Sequence, residues 1–68
     1  MENKKIKVNA NGDIYFVKNV IIDVDGSNLE EGIDIFDEDG EYLTNVIGAA
    51  VDDDDIAEVV MLNVEGYV

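Results

Sequence analysis

Carboxylates are almost the only side chains in this 68-residue sequence that could do chemistry. Seventeen Asp and Glu residues stand against four lysines, and the sequence contains no histidine, cysteine or arginine. Ser27 is the only serine and Thr44 the only threonine, and no histidine is present to activate either as a nucleophile. Glycosidases use two carboxyl groups at a defined distance, and seventeen acids will provide a pair at almost any distance by chance. The presence of such a pair is therefore no evidence for glycosidase activity. We therefore expect a protein that is not an enzyme, has no catalytic residues and binds no cofactor.

Two acidic stretches, Asp23–Gly26 and Asp37–Gly40, have the D-x-D-G pattern found in the middle of EF-hand calcium loops. A calcium loop also needs an oxygen ligand at its first position and a bidentate Glu at its twelfth. With each glycine at position 6, the first and twelfth positions fall on Ile21 and Gly32 in one stretch and on Ile35 and Val46 in the other. The pattern therefore predicts hairpin turns and no metal-ligating residues. Weak divalent-cation binding at Asp52–Asp55 is kept as a third alternative function.

The net charge of −13 is distributed unevenly along the chain. All four lysines lie within residues 1–18 with Glu2 and Asp13, and the remaining fifteen acids follow with no basic residue among them. Affinity for nucleic acid comes largely from Lys and Arg, so this charge disfavours direct nucleic-acid binding. The same charge would steer the chain onto a basic protein surface and compete with nucleic acid there. The expected partner is therefore basic, such as a nuclease or another nucleic-acid-binding protein.

Turn signals at equal intervals indicate how the carboxylates are positioned. The dipeptides Asn11-Gly12, Asp25-Gly26 and Asp39-Gly40 lie fourteen residues apart and suit type I′ hairpin turns. The segments between them are rich in Val, Ile and aromatic residues, which favours strands. Three of the four lysines, Lys4, Lys5 and Lys7, lie at or just before the first expected strand, where they would protect a sheet edge from aggregation.

The predicted fold class is all-β, a small five-stranded antiparallel meander whose sheet is strongly bent or forms an open barrel. It includes at most a short helical turn near 53–57. The strands are expected at residues 5–8, 13–24, 32–37, 41–47 and 58–64. The fifth is the least determined, because Ile56, Val59 and Val60 have helical spacing whereas their branched side chains favour a strand. The alternative is an α+β fold with one helix at about 53–63.

Two local features are expected within this scheme. A bend or bulge is expected at Lys18-Asn19, because the long second segment is apolar on both faces. The S-x-x-E spacing of Ser27 and Glu30 matches a capping box, although Gly32 follows too soon for more than one helical turn.

The candidate partner-binding residues are the acids that adjacent strands and turns would present together, plus one aromatic anchor. They are Asp23, Asp25, Glu30, Glu31, Asp34, Asp37, Glu38, Asp39, Glu41, Tyr42, Asp52, Asp53, Asp54 and Asp55. Binding energy is expected to come from exposed apolar residues within the acidic field rather than from the charges themselves. Tyr42 beside Glu41 and Tyr15 beside Asp13 are the expected anchors.

In size, acidity and lack of catalytic residues, the whole chain resembles the small DNA-mimic inhibitors of phages and mobile elements. These include anti-restriction proteins, uracil-glycosylase inhibitors and anti-CRISPR proteins. The resemblance implies a nucleic-acid-mimic inhibitor that blocks the basic surface of its target. It is a likeness of bulk properties and transfers no functional residue.

The main alternative is a structural or assembly module that pairs through an edge strand. Residues 1–68 are expected to form a single small domain, as a monomer or a homodimer. No apolar stretch approaches the ~20 residues that span a bilayer, so we expect no membrane association and a cytoplasmic location.

Overall fold

The computed structural model describes residues 4–65. It contains one four-stranded antiparallel sheet with the strand order β1-β2-β3-β4, followed by one helix. The elements are β1 (Ile6–Ala10), β2 (Asp13–Asp23), β3 (Leu29–Phe36), β4 (Tyr42–Ile47) and α1 (Ile56–Val64). The expectation of a mostly β protein with an antiparallel meander is confirmed for the first four strands. No helix among the described residues is long and apolar enough to cross a membrane.

The expected fifth strand at 58–64 is wrong, and the α+β alternative fits. Val60 and Val64 are one helical turn apart, and 0% and 2% of their respective surfaces are exposed. Ile56 and Val59 also pack against this core while remaining partly exposed. Burying an aliphatic side chain contributes about 1.5–3 kcal/mol, which exceeds the few tenths that a β-branched residue costs in a helix. Tertiary packing therefore outweighs the strand preference of these valines.

Helix α1 contacts both edge strands, β1 and β4, so it lies across one face of the sheet. We call this the inner face, and it holds the hydrophobic core. The buried residues are Val8, Ala10, Tyr15, Val17, Ile33, Ile35, Ala49, Val60 and Val64. No polar or charged residue between positions 4 and 65 is buried. Every acidic residue in that range therefore lies at the surface.

The three predicted turns differ in type. Asn11 and Gly12 both have positive φ, 55° and 90°, as the predicted type I′ turn requires. In the other two turns only the glycine has positive φ, so the type I′ prediction is wrong for them. In the third turn the amide of Gly40 donates to the carbonyl of Asp37 at 3.0 Å. This bond closes a turn over residues 37–40, and the amide of Asp37 donates to the carbonyl of Glu41 at 2.8 Å. The loop between the paired residues is therefore 38–40, a three-residue loop whose last position is left-handed and suits glycine.

Two other local expectations are corrected. The β2–β3 register is continuous through Lys18 and Asn19. The register shift lies instead between Ile35 and Phe36, where β3 pairs with β4. The expected helical turn at Ser27–Glu30 does not form. The Asp25 carboxylate accepts the Ser27 amide at 3.2 Å and the Asn28 amide at 3.0 Å, so β3 begins at residue 29. A local side-chain acceptor thus replaces the capping box.

Candidate protein-binding surface

The acids gather at opposite ends of the sheet because consecutive antiparallel strands turn at opposite ends. The first acidic cluster lies where β2 ends and β3 begins, and the second where β3 ends and β4 begins. The first cluster is Asp23, Asp25, Glu30 and Glu31, and the second is Asp37, Glu38, Asp39 and Glu41. Six residue steps along β3, from Glu31 to Asp37, separate them, roughly 20 Å at about 3.3 Å per residue. The candidate residues therefore form two surfaces rather than one.

The aspartate tetrad, Asp52–Asp55, follows a segment that leaves β4 at the end of the sheet where the first acidic cluster lies. The amide of Gly48 donates to the carbonyl of Glu31 at 2.8 Å. The chain then returns over the inner face, where the Val51 amide donates to Oδ1 of Asn19 at 3.1 Å. These two bonds fix both sides of the short segment that leads into the tetrad. The tetrad thus follows directly from a segment held against β2 and β3 near the first cluster.

Four of the candidate acids have a structural role as acceptors for backbone amides. Asp23 and Asp25 hold the β2–β3 turn, with Asp23 accepting the Gly26 amide at 2.7 Å. Asp37 accepts two amides of the β3–β4 turn, each at 2.9 Å. Asp53 accepts the Ala50 amide at 3.0 Å, before α1. Part of the acidity therefore shapes the turns, as Asp commonly does.

The other candidate acids serve only as surface charges in the described structure, where no side-chain hydrogen bond is recorded for them. They are Glu30, Glu31, Asp34, Glu38, Asp39, Glu41, Asp52, Asp54 and Asp55. All are exposed except Asp34, which is half-buried. Their charges can therefore be removed with little structural consequence, which makes them the informative positions for testing a binding role.

The Asp25 carboxylate is the most strongly hydrogen-bonded of the acids. Besides the two amides, it accepts Oγ of Ser27 at 3.3 Å and Nδ2 of Asn28 at 2.9 Å. The hydrogen bonds from the Ser27 and Asn28 amides hold the pKa of Asp25 below its ordinary value, because they stabilise the charged form. The β2–β3 turn therefore presents a fixed negative charge.

Exposed apolar side chains lie among the acids of the first cluster. Leu29 is 69% exposed, Ile21 is 63% exposed and Val24 is 49% exposed. Ile21 pairs with Glu31, and Leu29 pairs with Asp23, so both isolated apolar side chains stand on the inner face beyond α1. These three residues were not predicted from the sequence. The exposure of Leu29 could have been inferred, because it is an apolar residue between Asn28 and Glu30 with no apolar residue two positions away on either side.

The two tyrosines expected as anchors have different environments. Tyr42 is 53% exposed, at the β3–β4 end. Tyr15 is only 4% exposed and belongs to the core, so the expectation that it is a surface anchor is wrong. Its position in β2 has the parity of Val17, which faces α1 rather than solvent. Burial, and to a lesser extent the charge of Asp13, raises the pKa of the Tyr15 hydroxyl.

Two of the lysines, Lys5 and Lys18, lie with aromatic residues on the outer face of the sheet, opposite α1. Lys5 Nζ is 4.1 Å from the centroid of the Phe36 ring, and Lys18 Nζ is 5.6 Å from it. Tyr42 contacts the same ring edge-on, with the centroids 6.0 Å apart. In the register, Lys18 stands opposite Asp34. This part of the molecule has mixed charge, whereas the end formed by the first acidic cluster has no lysine.

Within residues 4–65, no three acidic side chains converge closely enough to hold a metal ion. A shallow depression at the other end, between Asp13 and the Asp37–Asp39 turn, brings carboxylates to its rim without enclosing a site. No protein-family model matches this sequence, and neither a curated protein nor a solved structure matches it. What distinguishes the surface is therefore its own pattern of charge and exposed apolar residues.

Proposed function

We propose that this protein is a non-enzymatic, acidic protein-binding module that docks on the basic surface of a nucleic-acid-binding protein and excludes nucleic acid from it. The expected target is a nuclease or another protein with a basic nucleic-acid-binding groove. One observation supports the proposal most: Ile21 and Leu29 are exposed at the lysine-free end of the sheet and pair in register with Glu31 and Asp23 of the first acidic cluster.

The two parts of this surface would contribute differently to binding. The carboxylates attract a basic groove over long range and raise the association rate at low ionic strength. Most binding energy at protein interfaces comes from a few well-packed apolar or aromatic side chains surrounded by polar ones. Ile21, Val24 and Leu29 have that arrangement. The target would therefore combine a groove lined by Lys or Arg with a small apolar pocket.

Solubility alone explains this arrangement less well. A surface that only maintains solubility usually interleaves both signs of charge, whereas the acids from Asp23 onward have no basic residue among them. Exposing Ile21 and Leu29 also opposes solubility.

The proposal is tested by capture from a cell lysate on the immobilised protein at about 50 mM and about 500 mM NaCl. We expect a basic nucleic-acid-binding protein to be retained at the lower concentration and released at the higher one, and duplex DNA to displace it at low salt. If only acidic or neutral proteins are retained, or if DNA displaces nothing, the proposal is wrong.

Matched charge variants locate the contact surface. One variant carries Glu30→Gln, Glu31→Gln and Asp54→Asn, and its control carries Asp13→Asn, Glu58→Gln and Glu65→Gln, three exposed acids outside both acidic clusters and the tetrad. Each removes three charges, and none of the six side chains accepts a recorded hydrogen bond in the described structure. The first variant should bind the retained target at least about tenfold more weakly than the control does. Equal loss in both would show that net charge, and not this surface, governs binding.

A further inference from the structure

The two edges of the sheet are protected differently. Exposed strand edges can pair with other chains, and proteins commonly blunt them with lysine, proline or an inward-pointing charge. Strand β1 follows this rule, since Lys7 lies within it and Lys4 and Lys5 precede it. Strand β4, Tyr42–Ile47, contains neither a charged residue nor a proline, although 31% of the chain is charged. The molecule therefore has one protected edge and one unprotected edge.

The hydrogen-bond register shows which backbone groups face the unprotected edge. Gly48 continues the β3–β4 register opposite Glu31, and its amide donates to the Glu31 carbonyl at 2.8 Å. Hydrogen-bonded and non-hydrogen-bonded pairs alternate along an antiparallel ladder. Val46 and Thr44, two and four residues before Gly48, therefore form backbone hydrogen bonds with β3. Asn45 and Ile47 direct their backbone N–H and C=O groups away from β3. In the strand order of the described chain, nothing lies beyond β4 to accept these bonds.

The surroundings of this edge indicate what could pair with it. Tyr42 is 53% exposed and Ile47 is 49% exposed, so an apolar side chain stands near each end of the strand. Beyond the strand, the acids of the second cluster lie at one end and Glu31 lies beside Gly48 at the other. The edge therefore has an uncharged middle and a negatively charged region at each end.

We propose that β4 pairs with an extended segment of the target, one that is apolar in its middle and carries Lys or Arg at both ends. This inference rests on the proposed function and specifies how the target is held. Pairing by strand addition obtains affinity from main-chain hydrogen bonds, and side chains give specificity. A second copy of this chain fits less well, because antiparallel pairing of β4 with itself would bring Glu41 of one copy near Glu31 of the other. Like charges so placed repel each other.

A synthetic peptide tests this pairing on the wild-type protein. The probe is Lys-Lys-Val-Thr-Val-Thr-Val-Lys-Lys, and its control is the same peptide with the backbone nitrogens of all three valines and both threonines methylated. The control has the same charge but lacks the donors that strand pairing needs. We expect NMR shifts and slowed amide exchange at Asn45 and Ile47 with the probe, and at least about tenfold weaker binding of the control. Equal binding of both peptides, or shifts confined to residues outside β4, would overturn the inference.

A pair of variants provides a second test from the protein side. Asn45→Pro removes an outward N–H without removing a bond to β3, which an edge strand tolerates. Asn45→Ala removes the same side chain and keeps the N–H. The proline variant should lose at least about tenfold in affinity for the probe, and the alanine variant should stay within about twofold. If both bind alike, or if a folded proline variant binds normally, strand pairing is wrong while salt-sensitive docking of the acidic surface can still hold.

Discussion

The side chain of Asn19 and the backbone amide of Val51 are joined by a hydrogen bond of 3.1 Å across thirty-two residues of sequence. This bond attaches the segment before the aspartate tetrad to the inner face of β2, two residues from Ile21. This contact therefore brings the segment that leads into the tetrad to the face of the sheet that carries Ile21. Its removal should affect both the stability and the order of that segment.

Asn19→Ala should lower the free energy of unfolding by about 1 kcal/mol, the typical net contribution of one hydrogen bond. Amide exchange at Val51 should accelerate in the same variant. Asn19→Asp keeps an acceptor oxygen at the same place and serves as the control. Urea denaturation and hydrogen-exchange NMR measure the two effects. Unchanged exchange at Val51 in Asn19→Ala would contradict the structural role of this bond.

Two isoleucines in neighbouring strands should respond very differently to truncation. Ile33 is fully buried and Ile21 is 63% exposed. Ile33→Ala should lower stability by about 2–5 kcal/mol, because it removes buried surface and leaves a cavity. Ile21→Ala should change it by no more than about 0.5 kcal/mol, yet weaken target binding. Similar losses of stability in the two variants, measured in urea, would show that Ile21 is covered as Ile33 is and would contradict its exposure beyond α1.

The charge of Asp25 should contribute to stability in a defined pH range. Hydrogen bonds hold the pKa of Asp25 below its ordinary value of 3.8. A depressed pKa means that this contribution is complete above about pH 3.8 and is lost as the pH falls through the lower, folded-state value. The melting-temperature difference between wild type and Asp25→Asn should therefore shrink as the pH is lowered from 6 to below 3. A difference that is constant or grows on acidification would contradict this assignment.

Added salt should stabilise the protein. The described acids are all exposed or half-buried, so their mutual repulsion acts through solvent and is screened by ions. Raising NaCl from about 20 to about 300 mM should therefore raise the melting temperature. A melting temperature that stays constant or falls would show that repulsion among the acids does not limit stability.

The turns and the first four strands were predictable because the Asn-Gly and Asp-Gly signals are local. The state of residues 56–64 was not, because it depends on packing against strands that are distant in sequence. Val60 and Val64 favour a strand locally and become helical only because the sheet offers them an apolar face. At Asp25 the reverse occurred, since a side-chain contact over two or three residues displaced the capping box.

The candidate surface could be predicted only as a set of residue types. Which acids stand together depends on the alternation of turns between the two sheet ends and on the return of the chain at Asn19. The burial of Tyr15 was equally unpredictable, because a shift of one position along a strand moves a side chain from the solvent face of the sheet to the core face. Ile21 looked like an ordinary strand residue and Leu29 fell in the expected helical turn, so their exposure beyond α1 was not predicted.

The most direct measurement is competition on the purified target that the capture experiment retains. Labelled duplex DNA is bound to the target at about 50 mM NaCl, and this protein is then added while DNA release and complex size are followed. If the acidic surface occupies the basic groove, DNA is released in proportion to the protein bound. Release should also require more protein when Ile21→Ala and Leu29→Ala are introduced. A stable ternary complex of target, DNA and this protein would contradict the account.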